Sequence, residues 1–330
     1  MRFLLLYLPL AMYSAAICCV TVAVANEPVT ELVAEPAQEP AIRFVTEAQQ
    51  VKIYVGDQAV ADYVFEDKEI TRPYFAHIKT LAGKQVSRNY PPREGVDKMD
   101  HANMHPGIWL SFGDLNGHDY WRLKARTQHV RFLEPPTVEA GIGKFKVLNH
   151  YLATNSDAVI CSQECTVQVR KIDAGYVLII SSEFKATNGE LRFGDQEEMG
   201  LGVRVATPLA VEKKLGGRIL DSEGRINGEK VWGQTARWCD YAGPLEGQWA
   251  GMTILTSPKN FRACWSHARD YGFVAMNPFG LNAFTKAAKQ EVIVNAGDSL
   301  RLGYAVVVHE STHETGFNAQ AAYEQFAAME

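Results

Sequence analysis

Between Asp100 and Trp121 the chain reads DHANMHPGIWLSFGDLNGHDYW, which places three histidines (His101, His105, His118) and three aspartates (Asp100, Asp114, Asp119) within twenty-two residues. Trp109 and Trp121 stand among them, and Gly107, Gly113 and Gly117 punctuate the run. An imidazole titrates near neutrality and can give or take a proton at an oxygen, so His105 and His101 are the candidate proton-transfer groups. A carboxylate must complete such a pair. The run Gly194-Asp195-Gln196-Glu197-Glu198-Met199-Gly200 offers Glu197 or Asp195 for that role, although a solvated turn would read the same way. For the two histidines the structural alternative is an imidazole bonded to a nearby carbonyl or carboxylate.

His101 and His105 are four apart and would share one face of a helix. No glutamate follows His101 as the zinc-protease motif requires, and Pro106-Gly107 would end a helix at once. No cofactor is therefore expected. The alternative is a divalent metal held by His101, His105 and a remote histidine or carboxylate. No nucleophile elbow, P-loop or dinucleotide fingerprint occurs, so serine-hydrolase, NTPase and Rossmann chemistry have no support.

The aromatic residues point to a ligand class. Trp109, Tyr120, Trp121, Trp232, Trp238, Tyr241, Trp249, Trp265 and Tyr271 recur beside Asp, Asn, Arg and His. Sugars present C–H faces that flat rings bury and hydroxyl edges that such polar groups bond, although any single ring is more often core. The candidate substrate contacts are Trp109, Asp114, Asn116, Arg204, Asp240, His267, Arg269 and Tyr271. Trp265–Gly272 reads as one loop carrying several of them, and Asn277-Pro278-Phe279-Gly280 as a tight turn. The expected partner is a small molecule or an oligosaccharide. A net charge of −5 with no basic run argues against nucleic acid.

Short alternating runs must position these groups. Strands are expected at Val51–Val55, Tyr63–Phe65, Tyr74–Ile78, Lys144–Leu152, Val159–Lys171, Tyr176–Ala186, Leu201–Ala206, Val231–Tyr241, Trp249–Thr256 and Leu300–His309. Asp173-Ala174-Gly175 predicts a hairpin, Asn227-Gly228 a turn, and residues 80–107 a long functional loop. Helices are expected only at Asn318–Met329 and, shorter, at Ala283–Gln290. Many short strands with glycine-rich turns make the chain all-β, a large antiparallel sandwich or barrel over residues 42–330.

Residues 1–25 read as a secretory signal, with an apolar run from Phe3 to Val24 and Ala23-Val24-Ala25 as the cleavage site. An uncleaved amino-terminal anchor is the alternative. Removing Arg2 with that segment takes the charge from −5 to −6 over the remaining 305 residues. Residues 26–41, rich in Pro, Glu and Ala, are expected to be a disordered lead-in. Either reading places the folded part outside the cytoplasm, periplasmic or secreted, with no other membrane contact. Cys161, Cys165, Cys239 and Cys264 then permit disulfides, with three pairings open, or four buried thiols.

Asp100-His101 through Gly107-Ile108-Trp109 and Gly113-Asp114-Leu115-Asn116-Gly117 resemble the signature of a bacterial family of unknown function, the DUF6807 type, often labelled PmoA or methane oxygenase. Gly194–Val205, Trp232–Tyr241 and Trp265–Gly280 carry the resemblance further, over about residues 42–310. It implies a secreted β-sandwich in polysaccharide-degrading bacteria, similar to the galactose-mutarotase type. The family pattern commonly reads Asp-His-Pro-His-His-Arg-Gly. Here Met104 and Pro106 stand where a histidine and an arginine are expected, and the segment is one residue longer. His101 and His105 remain as the matching positions. The leading expectation is a carbohydrate-active enzyme using histidine and carboxylate acid–base chemistry, of epimerase, lyase or hydrolase type. A non-catalytic carbohydrate-binding protein and a metal-dependent enzyme are the alternatives.

Overall fold

The computed structural model describes residues 42–330, so the expected signal segment 1–25 and the lead-in 26–41 lie outside the described residues. Among the described residues two large antiparallel sheets stack face to face. In the order of hydrogen-bonded neighbours, the first holds Ile42–Thr46, Gln50–Val55, Gln58–Val64, Tyr74–Ala76, Ile108–Phe112, Met199–Arg204, Phe273–Asn277, Cys264–Arg269 and Thr235–Ala236. The second holds Arg218–Asp221, Trp238–Leu245, Gln248–Thr256, Ser299–Ser311, Gly175–Lys185, Val159–Ile172, Ile142–Leu152 and Thr127–Glu139. Leu191–Phe193 and Val292–Val294 form a two-stranded ribbon beside them. The all-β antiparallel sandwich expected from the alternation is the fold. No helix among the described residues is long and apolar enough to cross a membrane.

Strand side chains alternate between faces, and here the alternation separates core from site. Ile108 and Phe112, Leu201 and Val203, Val274 and Met276 point into the sandwich. There Phe112 meets Tyr151 and Phe184 of the opposing sheet, with centroids 5.8 and 5.1 Å apart. The residues between them, Trp109, Gly202, Arg204, Phe273 and Ala275, look outward. Trp109, Trp121, Phe273 and Ala275 form their own buried layer on that outer face. Gly202 makes room for it, because a Cβ there would stand 2.8 Å from Trp109 Cζ2 and 3.2 Å from Trp121 Cη2.

Several expectations change. Trp265–Gly272 is no loop; Cys264–Arg269 and Phe273–Asn277 form a hairpin, and its alternation Trp265, His267, Arg269 aims all three outward. Ile108–Phe112 is a central strand inside the histidine stretch. Thr127–Glu139 is a strand despite Pro135-Pro136, which an edge position tolerates because no outer neighbour needs the missing N–H. Asn227–Val231 is a short helix rather than a turn, and the expected strand Val231–Tyr241 divides into Thr235–Ala236 in the first sheet and Trp238–Leu245 in the second. The short helix at Ala283–Gln290 lies earlier, at Leu281–Thr285. The carboxy-terminal helix runs Ala319–Met329, with the Asn318 side chain accepting from Ala321 N at its start. Cys161, Cys165, Cys239 and Cys264 are free and buried, and burial pushes the Cys165 thiol up to about 11.

Candidate functional site

Residues 101–105 make a single helical turn before Pro106. His101 takes a left-handed φ of 49°, and its carbonyl accepts from Met104 N at 3.0 Å and His105 N at 3.1 Å. The i,i+4 spacing therefore stacks the two imidazoles, with centroids 4.7 Å apart and planes within 12°. The column continues inward from His105 to Trp109 (4.7 Å) and Phe273 (4.9 Å). His105 is only 3% exposed, and its Nδ1 is buried without a partner. Burial, then the nearby His101 and arginines, hold its imidazole well below the usual histidine range, so it is neutral at pH 7. His101, at the outer end of the column, has a side chain 40% exposed with Nδ1 3.0 Å from Asp100 Oδ2.

Buried cations hold this turn from below. Arg88, fully buried, donates to the carbonyls of Lys98 (3.0 Å), Asp100 (2.5 Å), His101 (3.1 Å) and His105 (3.0 Å). Arg72 bonds the carbonyls of Trp121 (2.9 Å) and Met104, and burial brings its guanidinium down to about 9. Arg204 forms a forked pair with Asp100 (2.6 and 3.1 Å) and lies 4.6 Å from the Tyr271 ring centroid. Burial pushes the Asp100 carboxyl up, but hydrogen bonds from Arg204 and His101 outweigh this and leave it lowered. Tyr271 lies 5.8 Å from His101 and 6.2 Å from Phe273, nearly parallel to both.

A second cluster adjoins Phe273 on the same face. His267 meets the Phe273 ring edge-on at 5.0 Å. Its Nε2 lies 3.3 Å from Glu197 Oε2 and its Nδ1 3.2 Å from the Glu197 carbonyl. Arg269 bonds the same carboxylate oxygen at 2.8 Å, while Glu198 pairs with Arg122 at 2.6 Å. Burial, with Arg269 adding to it, pushes the His267 imidazole down to about 3. The short contact to Glu197 asks for a proton that burial withholds. Arg269 already compensates the carboxylate, so the imidazole rests neutral and one of its two oxygen contacts lacks a proton. Such a group can take a proton and pass it on, and Glu197, 31% exposed, is within reach of a ligand.

Two buried neutral histidines make the fold sensitive to acid. Unfolded, both bind a proton near pH 6.5; folded, His267 does so only near 3. The unfolded chain thus binds more protons in that window, and stability falls as pH drops through it. Melting temperatures should decline steadily from about pH 7 to about pH 4. A flat profile would mean that neither imidazole is held neutral.

The structure thus gathers His101, His105, Trp109, Glu197, Arg204, His267, Arg269 and Tyr271 on one sheet face. It does not gather the rest. Asp195 accepts backbone N–H groups of Asn282 and Gln290 at 2.9 Å, anchoring the segment around the short helix Leu281–Thr285. Asp114 accepts from Gly117 N at 3.0 Å, and Asn116 ties its loop to Glu190 and Arg192. Asp240 belongs to the second sheet. Among the described residues no group of three or more His, Cys, Asp and Glu has metal-holding geometry. Arg88, Arg72 and Phe273 were not legible as site residues. The arginines bond carbonyls, which no spacing encodes, whereas the alternation Phe273, Ala275, Asn277 could have exposed Phe273.

No curated protein matches this chain. Among solved structures it is similar to a galactose mutarotase-like protein from Clostridium acetobutylicum, at 9% identity and a TM-score of 0.41, over 82% of this chain and 98% of that one. A galactose mutarotase-like protein from Lactobacillus casei matches at 9% identity and 0.34, over 82% and 100%. A protein assigned as a kojibiose phosphorylase, from the human microbiome, matches at 7% identity and 0.34, over 84% of this chain but only 29% of its own length. The family of unknown function DUF6807 matches residues 50–323, and the chain belongs to it.

Proposed function

We propose that this protein is a carbohydrate-active enzyme that moves protons at a sugar oxygen or an adjacent carbon. The observation supporting this is the meeting of segments 100–105, 197–198, 204 and 267–271 on one face, around a common aromatic layer. Glu197 and neutral His267 are the proton-transfer pair, and His101 on Asp100 is a second, exposed imidazole across Phe273. Arg269 and Tyr271 orient hydroxyls, while buried Arg204 holds Asp100 in place beneath His101. His105, sealed in the stack, positions His101 rather than meeting the substrate. Export with removal of residues 1–25 belongs to the same reading, since extracellular sugars would be its substrates.

The test is to incubate the protein with a panel of pyranoses, oligosaccharides and uronates and to follow anomer exchange and new products by NMR. Accelerated exchange or a new product that depends on the protein is the expected result. Saturable binding with no product on long incubation would make it a binding protein instead, and silence across the panel would remove sugars from consideration.

A further inference from the structure

We propose that the outer face of the second sheet carries a separate binding site for a neutral polyol of monosaccharide size. A cavity of about 300 Å³ lies there beside the segment that leads into the carboxy-terminal helix, lined in part by Arg218, Trp238, Asp240, Trp249, His309 and Phe317. That volume falls within the range of small-ligand sites. The strand register lays out its walls. Arg218, Ala242, Gly251 and His309 form one row across four strands, so only small residues separate the two polar ends over roughly 14 Å of sheet. The neighbouring rows place Asp240 on one side and Trp249 on the other.

Unmet hydrogen bonds define the ligand. Asp240 Oδ1 accepts from Thr253 Oγ1 at 2.8 Å and faces His309 Nε2 at 2.9 Å. Its Oδ2 has only an Arg218 nitrogen at 4.0 Å, beyond hydrogen-bond reach. In the tautomer that donates Nε2–H to Asp240, His309 has a lone pair at Nδ1. That atom is buried without a partner, in a side chain 1% exposed beneath the Phe317 ring. Arg218 Nε–H is also buried without a partner, although the guanidinium meets Glu314. Asp240 Oδ2, His309 Nδ1 and Arg218 Nε are therefore three polar atoms without a hydrogen-bond partner among the residues that line one cavity. Hydroxyl groups can donate to the first two and accept from the third. A cation would leave Arg218 Nε unmet and face its charge, while an anion would face Asp240 and Glu314. The indoles of Trp238 and Trp249 suit the C–H face of a ring.

The experiment labels the tryptophan indole nitrogens of the full chain and titrates it with glucose, galactose, mannitol and, as a cationic probe, choline. Saturable shifts of the Trp238 or Trp249 indole signals with the polyols, unaffected by Glu197→Gln, are expected. Asp240→Asn should weaken that binding tenfold or more. Because Asp240→Asn disturbs the Thr253 and His309 contacts, the exposed Thr315→Trp at the cavity rim serves as a blocking variant that should abolish the shifts with the fold intact. Shifts confined to Trp109, Trp232 or Trp265, a response to choline alone, or no shift with any polyol would each overturn the proposal.

Discussion

Glu197→Gln is expected to fold and melt as the wild-type protein does while losing about 10²–10⁴ in turnover of a sugar substrate. The two halves of that expectation have separate grounds. Glu197 is 31% exposed and its partner Arg269 38%, so their ion pair is solvent-screened and worth at most about 1 kcal/mol. The backbone contacts to the Glu197 carbonyl from His267 and Asn277 survive the substitution. Chemistry is another matter. Glutamine keeps an acceptor oxygen for Arg269 but cannot receive or deliver a proton, and His267, held down to about 3, can relay a proton with Glu197 but does not store one at neutral pH in its absence. Rate measurement beside a melting curve checks both halves. Wild-type turnover in a folded Glu197→Gln protein would take the proton transfer away from this pair, and His101 would then be the group to replace.

What the sequence disclosed, and what it hid, follows the range of the interactions. The alternation in Thr166-Val167-Gln168-Val169-Arg170 is local, and Val159–Ile172 is a strand as that pattern requires. The four-residue spacing of His101 and His105 is also local, and it survives as a one-turn stack even though Pro106 allows no helix. Trp265, His267 and Arg269 carried a period-two signal too, yet dense polar chemistry disguised a hairpin as a loop. Burial could not be read. His105 and His101 look equivalent in sequence, but one is sealed between rings and the other faces solvent, because Phe273 and Tyr271 arrive from a distant hairpin. Asp195 and Glu197 are two residues apart and do unrelated work, one anchoring backbone amides and the other facing an imidazole. Asp240 is expected near the histidines because it stands between Trp238 and Tyr241 in an aromatic and polar run, and the strand order sends it to the other sheet.

Arg88→Met should destabilise the protein by about 3–5 kcal/mol, among the largest effects available to a single surface-distant residue here. Methionine fills much of the volume and keeps the aliphatic packing, so the loss isolates the guanidinium. Four carbonyls, those of Lys98, Asp100, His101 and His105, lose a charged donor together. A hydrogen bond from a charged group is worth about 1.5–3 kcal/mol, and the part-buried carbonyls recover some of that from water. The sum thus falls below four full bonds. Burial brings the Arg88 guanidinium down to about 10, still far above neutral pH, so the wild-type clamp stays charged. Chemical denaturation measures the cost, and Arg88→Lys refines it, because an ammonium cannot fork across four acceptors and should recover only part of the loss. A near-neutral Arg88→Met would mean that the turn holds itself, through the His101 carbonyl and the aromatic column. If the cost is as large as expected, the turn that presents His101 is held from inside the protein by a residue that never meets a ligand. Activity lost in Arg88→Met would then return at low temperature wherever the fold does, whereas activity lost in Glu197→Gln would not.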